Sequence, residues 1–114
     1  MRGKSTLIDD FYRMHRGFGY LQSINLYRDK EDIYSKCYLD VILCKLEQSK
    51  QRMFIHFSGV ARFESSNLDS LNMSTITIVD MSANQWEDIN YKVKEDEDEL
   101  FSFYCKDFEY KLIE

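Results

Sequence analysis

Apolar residues recur at every second position in several separate short runs, and this period-two pattern commits the chain to a β-rich fold. Residues 37–46 give the clearest case, with Cys37, Leu39, Val41 and Leu43 on one face. Their other face carries Tyr38, Asp40, Ile42 and Cys44, so this strand is predicted to be central and covered on both sides. Met53, Ile55 and Phe57 alternate within a long run over 53–63, and Gly59 inside it predicts a bulge that re-aims the chain. Residues 74–81 form a Thr/Ile/Val strand. Ile89, Tyr91 and Val93 alternate, as do Phe101, Phe103 and Cys105. After a turn at Asp107, Phe108, Tyr110 and Leu112 repeat the pattern. The run 20–27 opens the series, with Tyr20, Ile24 and Leu26 assigned to one face. Polar stretches at 28–32, 47–51, 64–72 and 82–88 supply turns, and 94–99 reads as a charged hairpin tip.

The N-terminus has a different period. Leu7, Phe11 and Met14 follow i, i+4, i+7 spacing, which predicts a helix from Ser5, as N-cap, to Met14 or His15. Gly17 and Gly19 are expected to end it. The expected architecture is mainly β, of α+β type. An antiparallel sheet of about seven strands curves into a sandwich or half-barrel, with one short N-terminal helix packed on it. At 114 residues, 1–114 is expected to form a single domain large enough to bury its own core.

The residues that carry catalysis are sparse. Neither His15 nor His56 has metal-ligand spacing, and C-x-x-C and G-x-S-x-G are absent. Gly17-x-Gly19 lacks the third glycine of a dinucleotide loop. No enzyme activity, cofactor or metal is therefore expected. His56 lies opposite the Ile55/Phe57 face and is expected to be an exposed or hydrogen-bonded strand histidine. Cys37, Cys44 and Cys105 make an odd set in a chain without a signal-peptide core, which predicts free thiols in a reducing, cytoplasmic setting. No apolar run approaches the ~18 residues of a membrane span.

Charge is uneven. Residues 1–62 hold 11 Lys/Arg against 7 Asp/Glu, whereas residues 63–114 hold 4 against 13, for a net charge of −5. An acidic C-terminal half suits a basic protein partner. The expected contact residues are Glu95, Asp96, Glu97, Asp98 and Glu99 of the tip, with Glu87, Asp88 and Trp86 as a nearby aromatic anchor. Exposed edge strands leave a homodimer open.

Two resemblances add to this reading. Arg16-Gly17-Phe18-Gly19-Tyr20-Leu21 and Phe54-Ile55-His56-Phe57-Ser58 resemble the two RNP motifs of cold-shock domains. That likeness implies base-stacking by Phe18, Tyr20, Phe54 and His56, with Phe11 as a fifth ring, on an OB-like barrel. In that family, however, the two motifs occupy neighbouring strands joined by a short turn. Here the apolar strand 37–46 intervenes, and the acidic half repels phosphates. Single-stranded nucleic-acid binding is accordingly the alternative reading.

The second resemblance runs nearly end to end. Residues 7–11, His15 and residues 20–24 resemble the opening of small bacterial β-domains. Phe57-Ser58-Gly59-Val60-x-x-Phe63 resembles their F-x-G-V-x-x-F strand. Gln85-Trp86, Ile89-x-Tyr91-x-Val93, Phe103-Tyr104-Cys105 and Phe108-Glu109 resemble their closing hairpin. Some such proteins are similar to immunity proteins that neutralise the toxins of rival bacteria, which implies a non-enzymatic inhibitor of a toxin; the acidic half suits the basic, phosphate-binding cleft of a nuclease. Arg16 after His15 departs from their more usual His-Asp pair.

Overall fold

The computed structural model describes residues 4–29, 31, 37–45, 50–66, 75–84, 89–95 and 101–113. Helix α1 (Lys4–His15) is followed by β1 (Tyr20–Arg28), β2 (Cys37–Cys44), β3 (Arg52–Ser58), β4 (Ala61–Ser65), β5 (Ile76–Asp80), β6 (Tyr91–Glu95), β7 (Phe101–Cys105) and β8 (Asp107–Ile113). Among the described residues these eight strands build two four-stranded antiparallel sheets, ordered β1-β2-β3-β8 and β4-β7-β6-β5. The result is the mainly-β sandwich with one helix that the alternation calls for.

The extra strand relative to the sequence count comes from Gly59. The run over 53–63 breaks there into β3 and β4, which belong to different sheets. Gly59 has φ +67°, and a Cβ on it would lie 2.8 Å from the Cβ of Lys106. Lys106 is the matching corner between β7 and β8, and its N–H donates to the Ser58 carbonyl at 2.9 Å. Two long antiparallel segments therefore bend together, and the bend needs a left-handed residue without a side chain.

The inner faces follow the predicted parity. Leu39, Val41, Leu43, Met53, Ile55 and Phe57 of one sheet are wholly buried, against Ile76, Val93, Phe101 and Phe103 of the other. Phe57 meets Phe103 edge-on at 4.9 Å across the sandwich, and Tyr91 meets Phe108 at 5.0 Å. Each such ring contributes roughly 2–3 kcal/mol through burial.

Three expectations are corrected. First, Tyr20 is not on the face of Ile24 and Leu26. The β1–β2 register shifts between Leu21 and Ser23, so Gln22 is an extra residue and Leu21, not Tyr20, joins the inner side. Second, β2 is central but covered on one side only. Tyr38, Asp40, Ile42 and Cys44 are all partly exposed. Third, the buried stripe of α1 is Ile8, Phe11 and His15, while Leu7 is 36% exposed. Side-chain contacts set this rotation. Phe11 packs edge-on against Phe108 and Tyr110 at 5.7 and 5.5 Å.

Tyr12 and His15 dock the same helix onto the edge of β5. The Ile76 N–H donates to His15 Nε2 at 2.9 Å, and the Ile78 N–H donates to the Tyr12 hydroxyl at 2.9 Å. That hydroxyl in turn donates to the Ile78 carbonyl at 3.0 Å. Residues three apart on a helix thus stand in for a neighbouring strand and cover an edge that otherwise invites pairing.

Candidate functional site

The outer face of the β1-β2-β3-β8 sheet follows from register and parity. Its first row across the four strands is Tyr27, Tyr38, Ser58 and Asp107; the second is Asn25, Asp40, His56 and Glu109. Behind these come Ser23, Ile42, Phe54 and Lys111, and then Tyr20, Cys44, Arg52 and Ile113. The face is graded, with three carboxylates in the first two rows and two cationic side chains in the last two.

The first two rows are knit together. Asp40 Oδ1 lies 2.6 Å from His56 Nδ1, and its Oδ2 accepts from the Tyr27 hydroxyl at 3.0 Å. A carboxylate can only accept, so Nδ1 of His56 carries the proton that Asp40 receives. Tyr38 stacks on Tyr27 and on His56, with centroids 5.5 Å apart in both pairs. Burial, and then the hydrogen bond and charge of Asp40, push the Tyr27 phenol above its ordinary pKa, so it stays a donor. A shallow hollow beside the pair is lined by His56, Ser58, Asp107, Phe108 and Glu109. The His56 and Asp40 side chains are 25% and 23% exposed. At that exposure the Asp40–His56 contact contributes at most about 1 kcal/mol to stability.

Sequence reasoning did not find this pair, although a signal existed. Asp40 and His56 each occupy the polar parity of a predicted strand, and folding one run back on the other sets them nearly opposite.

The residues proposed as base-stackers divide. Tyr20, Phe54 and His56 lie on the open face, Phe54 with Lys111 Nζ 5.7 Å from its ring centroid. Phe18 is 4% exposed and belongs to the core, with Lys45 Nζ 5.0 Å from its ring, and Phe11 is wholly buried. The five rings therefore form no single platform.

Of the expected partner-binding residues, Glu95 alone is described. The charged run assigns it to the tip, but it is the last residue of β6, opposite Ile76 and 0% exposed. The parity of Tyr91 and Val93 simply continues to it. Asp96, Glu97, Asp98, Glu99, Trp86, Glu87 and Asp88 lie outside the described residues.

All three cysteines are free thiols. Burial, with Asp107 adding to it, pushes the Cys105 thiol up to about 12. Among the described residues no group of three His, Cys, Asp or Glu side chains is placed to hold a metal ion, and no helix is long and apolar enough to cross a membrane.

A family model described as Immunity protein PIM8 matches residues 5–111. The chain belongs to the PIM8 family of immunity proteins. The match takes in α1 apart from Lys4 and all eight strands apart from the last two residues of β8, so the corner at Gly59, the helix-capped edge and all of the open face but Ile113 lie within it. Membership gives the chain an immunity-type function with a protein partner, and agrees with the end-to-end resemblance read from its sequence. No curated protein and no solved structure matches the chain.

Proposed function

We propose that this PIM8 protein is a non-catalytic inhibitor that neutralises a bacterial toxin by binding it directly, in the cytoplasm. The family match over residues 5–111 carries this reading. The composition supports a basic target: 13 Asp/Glu against 4 Lys/Arg in residues 63–114 suit a cleft that is cationic because it handles phosphates, as in a nuclease. In this proposal Asp96, Glu97, Asp98 and Glu99, with Glu87, Asp88 and Trp86, approach the toxin. Glu95 drops out because its side chain is buried.

The test is co-expression with the toxin encoded beside the gene. The wild-type chain should protect the host cell and co-purify with the toxin. Replacing Asp96, Glu97, Asp98 and Glu99 by their amides should leave the fold intact, slow association and flatten its salt dependence. Full protection with an unchanged association rate would remove the tip from the contact. Failure of the wild type to protect or to bind would remove the reading itself.

A further inference from the structure

We propose that the open face of the β1-β2-β3-β8 sheet holds a recognition site for an arginine side chain of the toxin, built from Tyr38, Asp40, His56 and Glu109. The inference rests on the immunity reading and adds a contact that the family match does not assign.

Hydrogen-bonding capacity carries it. Asp40 takes the Nδ1 proton of His56 at 2.6 Å and the Tyr27 hydroxyl proton at 3.0 Å. What this corner then offers a partner is a set of acceptors: the spare lone pairs of Asp40 and the carboxylate of Glu109, which stands opposite His56 in the β3–β8 register. Asp107 lies one row further on. Among the described residues neither Glu109 nor Asp107 is ion-paired to a lysine or arginine. A corner rich in acceptors and negative charge fits a group that only donates.

The rings narrow the choice from any cation to a guanidinium. Tyr27, Tyr38 and His56 form a continuous stack at 5.5 Å spacing, and the interplanar angles of 28° and 20° keep their planes nearly parallel. A planar guanidinium stacks on such rings while its fork of N–H groups meets a carboxylate, whereas a lysine ammonium does neither as well. The site is already ordered by its internal hydrogen bonds, so little side-chain entropy remains to be lost on binding.

The test measures dissociation constants for the neighbouring toxin with His56→Gln, Glu109→Gln and Tyr38→Ala, with Thr77→Ala on the opposite sheet as control. The three site variants should melt close to wild type and weaken binding tenfold or more, while Thr77→Ala stays within twofold. If the wild type binds and the three site variants also stay within twofold, this inference is overturned and the immunity reading stands. If the wild type does not bind the toxin, the immunity reading fails. The site is then decided by NMR titration with N-acetyl-arginine amide against its neutral citrulline counterpart. A saturable shift at His56 and Glu109 that is specific to arginine supports it, and its absence overturns it. Sedimentation of the free chain as a dimer that the Tyr38→Ala variant dissociates would show a second copy on this face and would also overturn the proposal.

Discussion

Gly59→Ala tests the corner that joins the two sheets. At φ +67° an alanine pays for the left-handed conformation, roughly 1–2 kcal/mol. Its Cβ would also stand 2.8 Å from Lys106 Cβ and 3.4 Å from Lys106 N. Relief requires the Gly59 and Lys106 corners to part, against the Lys106 N–H bond to Ser58, the Val60 N–H bond to the Cys37 carbonyl at 2.9 Å and the Asn90 Nδ2 bond to the Lys106 carbonyl at 2.8 Å. Overpacking of this kind adds about 1–3 kcal/mol, for a total of roughly 2–5 kcal/mol. At this chain length that lowers the melting temperature by roughly 10–25 °C. Gly19→Ala is the internal control: nothing lies within 4 Å of its added Cβ and its φ is not positive, so it should shift stability by less than about 0.5 kcal/mol. Thermal melts followed by circular dichroism compare the two. If Gly59→Ala melts within about 3 °C of Gly19→Ala, the steric account of the corner is wrong.

The helix-capped edge gives two further predictions. Tyr12→Phe should cost about 1–3 kcal/mol in urea melts, because the Ile78 N–H and carbonyl lose a buried partner. His15 also has a pH signature. Burial holds its pKa below the ordinary 6.5, and the nearby Phe18 backbone, which favours the protonated ring, only partly offsets this. Between the folded value and 6.5 the unfolded chain binds a proton that the folded chain does not. Stability should thus be full above about pH 6.5 and fall as the pH drops toward the folded value. Urea melts from pH 7.5 to 5 should show that slope, and His15→Gln should remove this contribution to it. Thiol titration supplies the fourth prediction. Cys37 and Cys44, both partly exposed, should react in the native state, and Cys105, at about 12, only on unfolding.

Parity made most of the fold legible in the sequence. It identified the inner residues of β2, β3, β6 and β7, and Gly59 announced the bend. What it missed follows from one-residue events that alternation does not register. The bulge at Gln22 moves Tyr20 to the other face, and the rotation of α1 buries His15 rather than Leu7. Glu95 shows the opposite error, where charge was given more weight than a parity that already placed it inside. The candidate site was half legible. His56 had the right parity and strand, but its partner Asp40 is 16 residues away and becomes a neighbour only through the β2–β3 register.

The same parity separates what holds this protein together from what it presents. In β3, Met53, Ile55 and Phe57 are wholly buried, while Arg52, Phe54, His56 and Ser58 alternate with them and are partly exposed. β2 repeats the division, with Leu39, Val41 and Leu43 inside and Tyr38, Asp40 and Ile42 outside. Truncating an inner residue opens a cavity and costs about 2–5 kcal/mol. Changing an outer residue touches only half-exposed contacts worth about 1 kcal/mol or less. Substitutions on the open face are therefore expected to have little effect on the fold. Under the proposal of a recognition site here, specificity would lie on strand positions held rigid by buried neighbours on either side, and it could be altered without rebuilding the core.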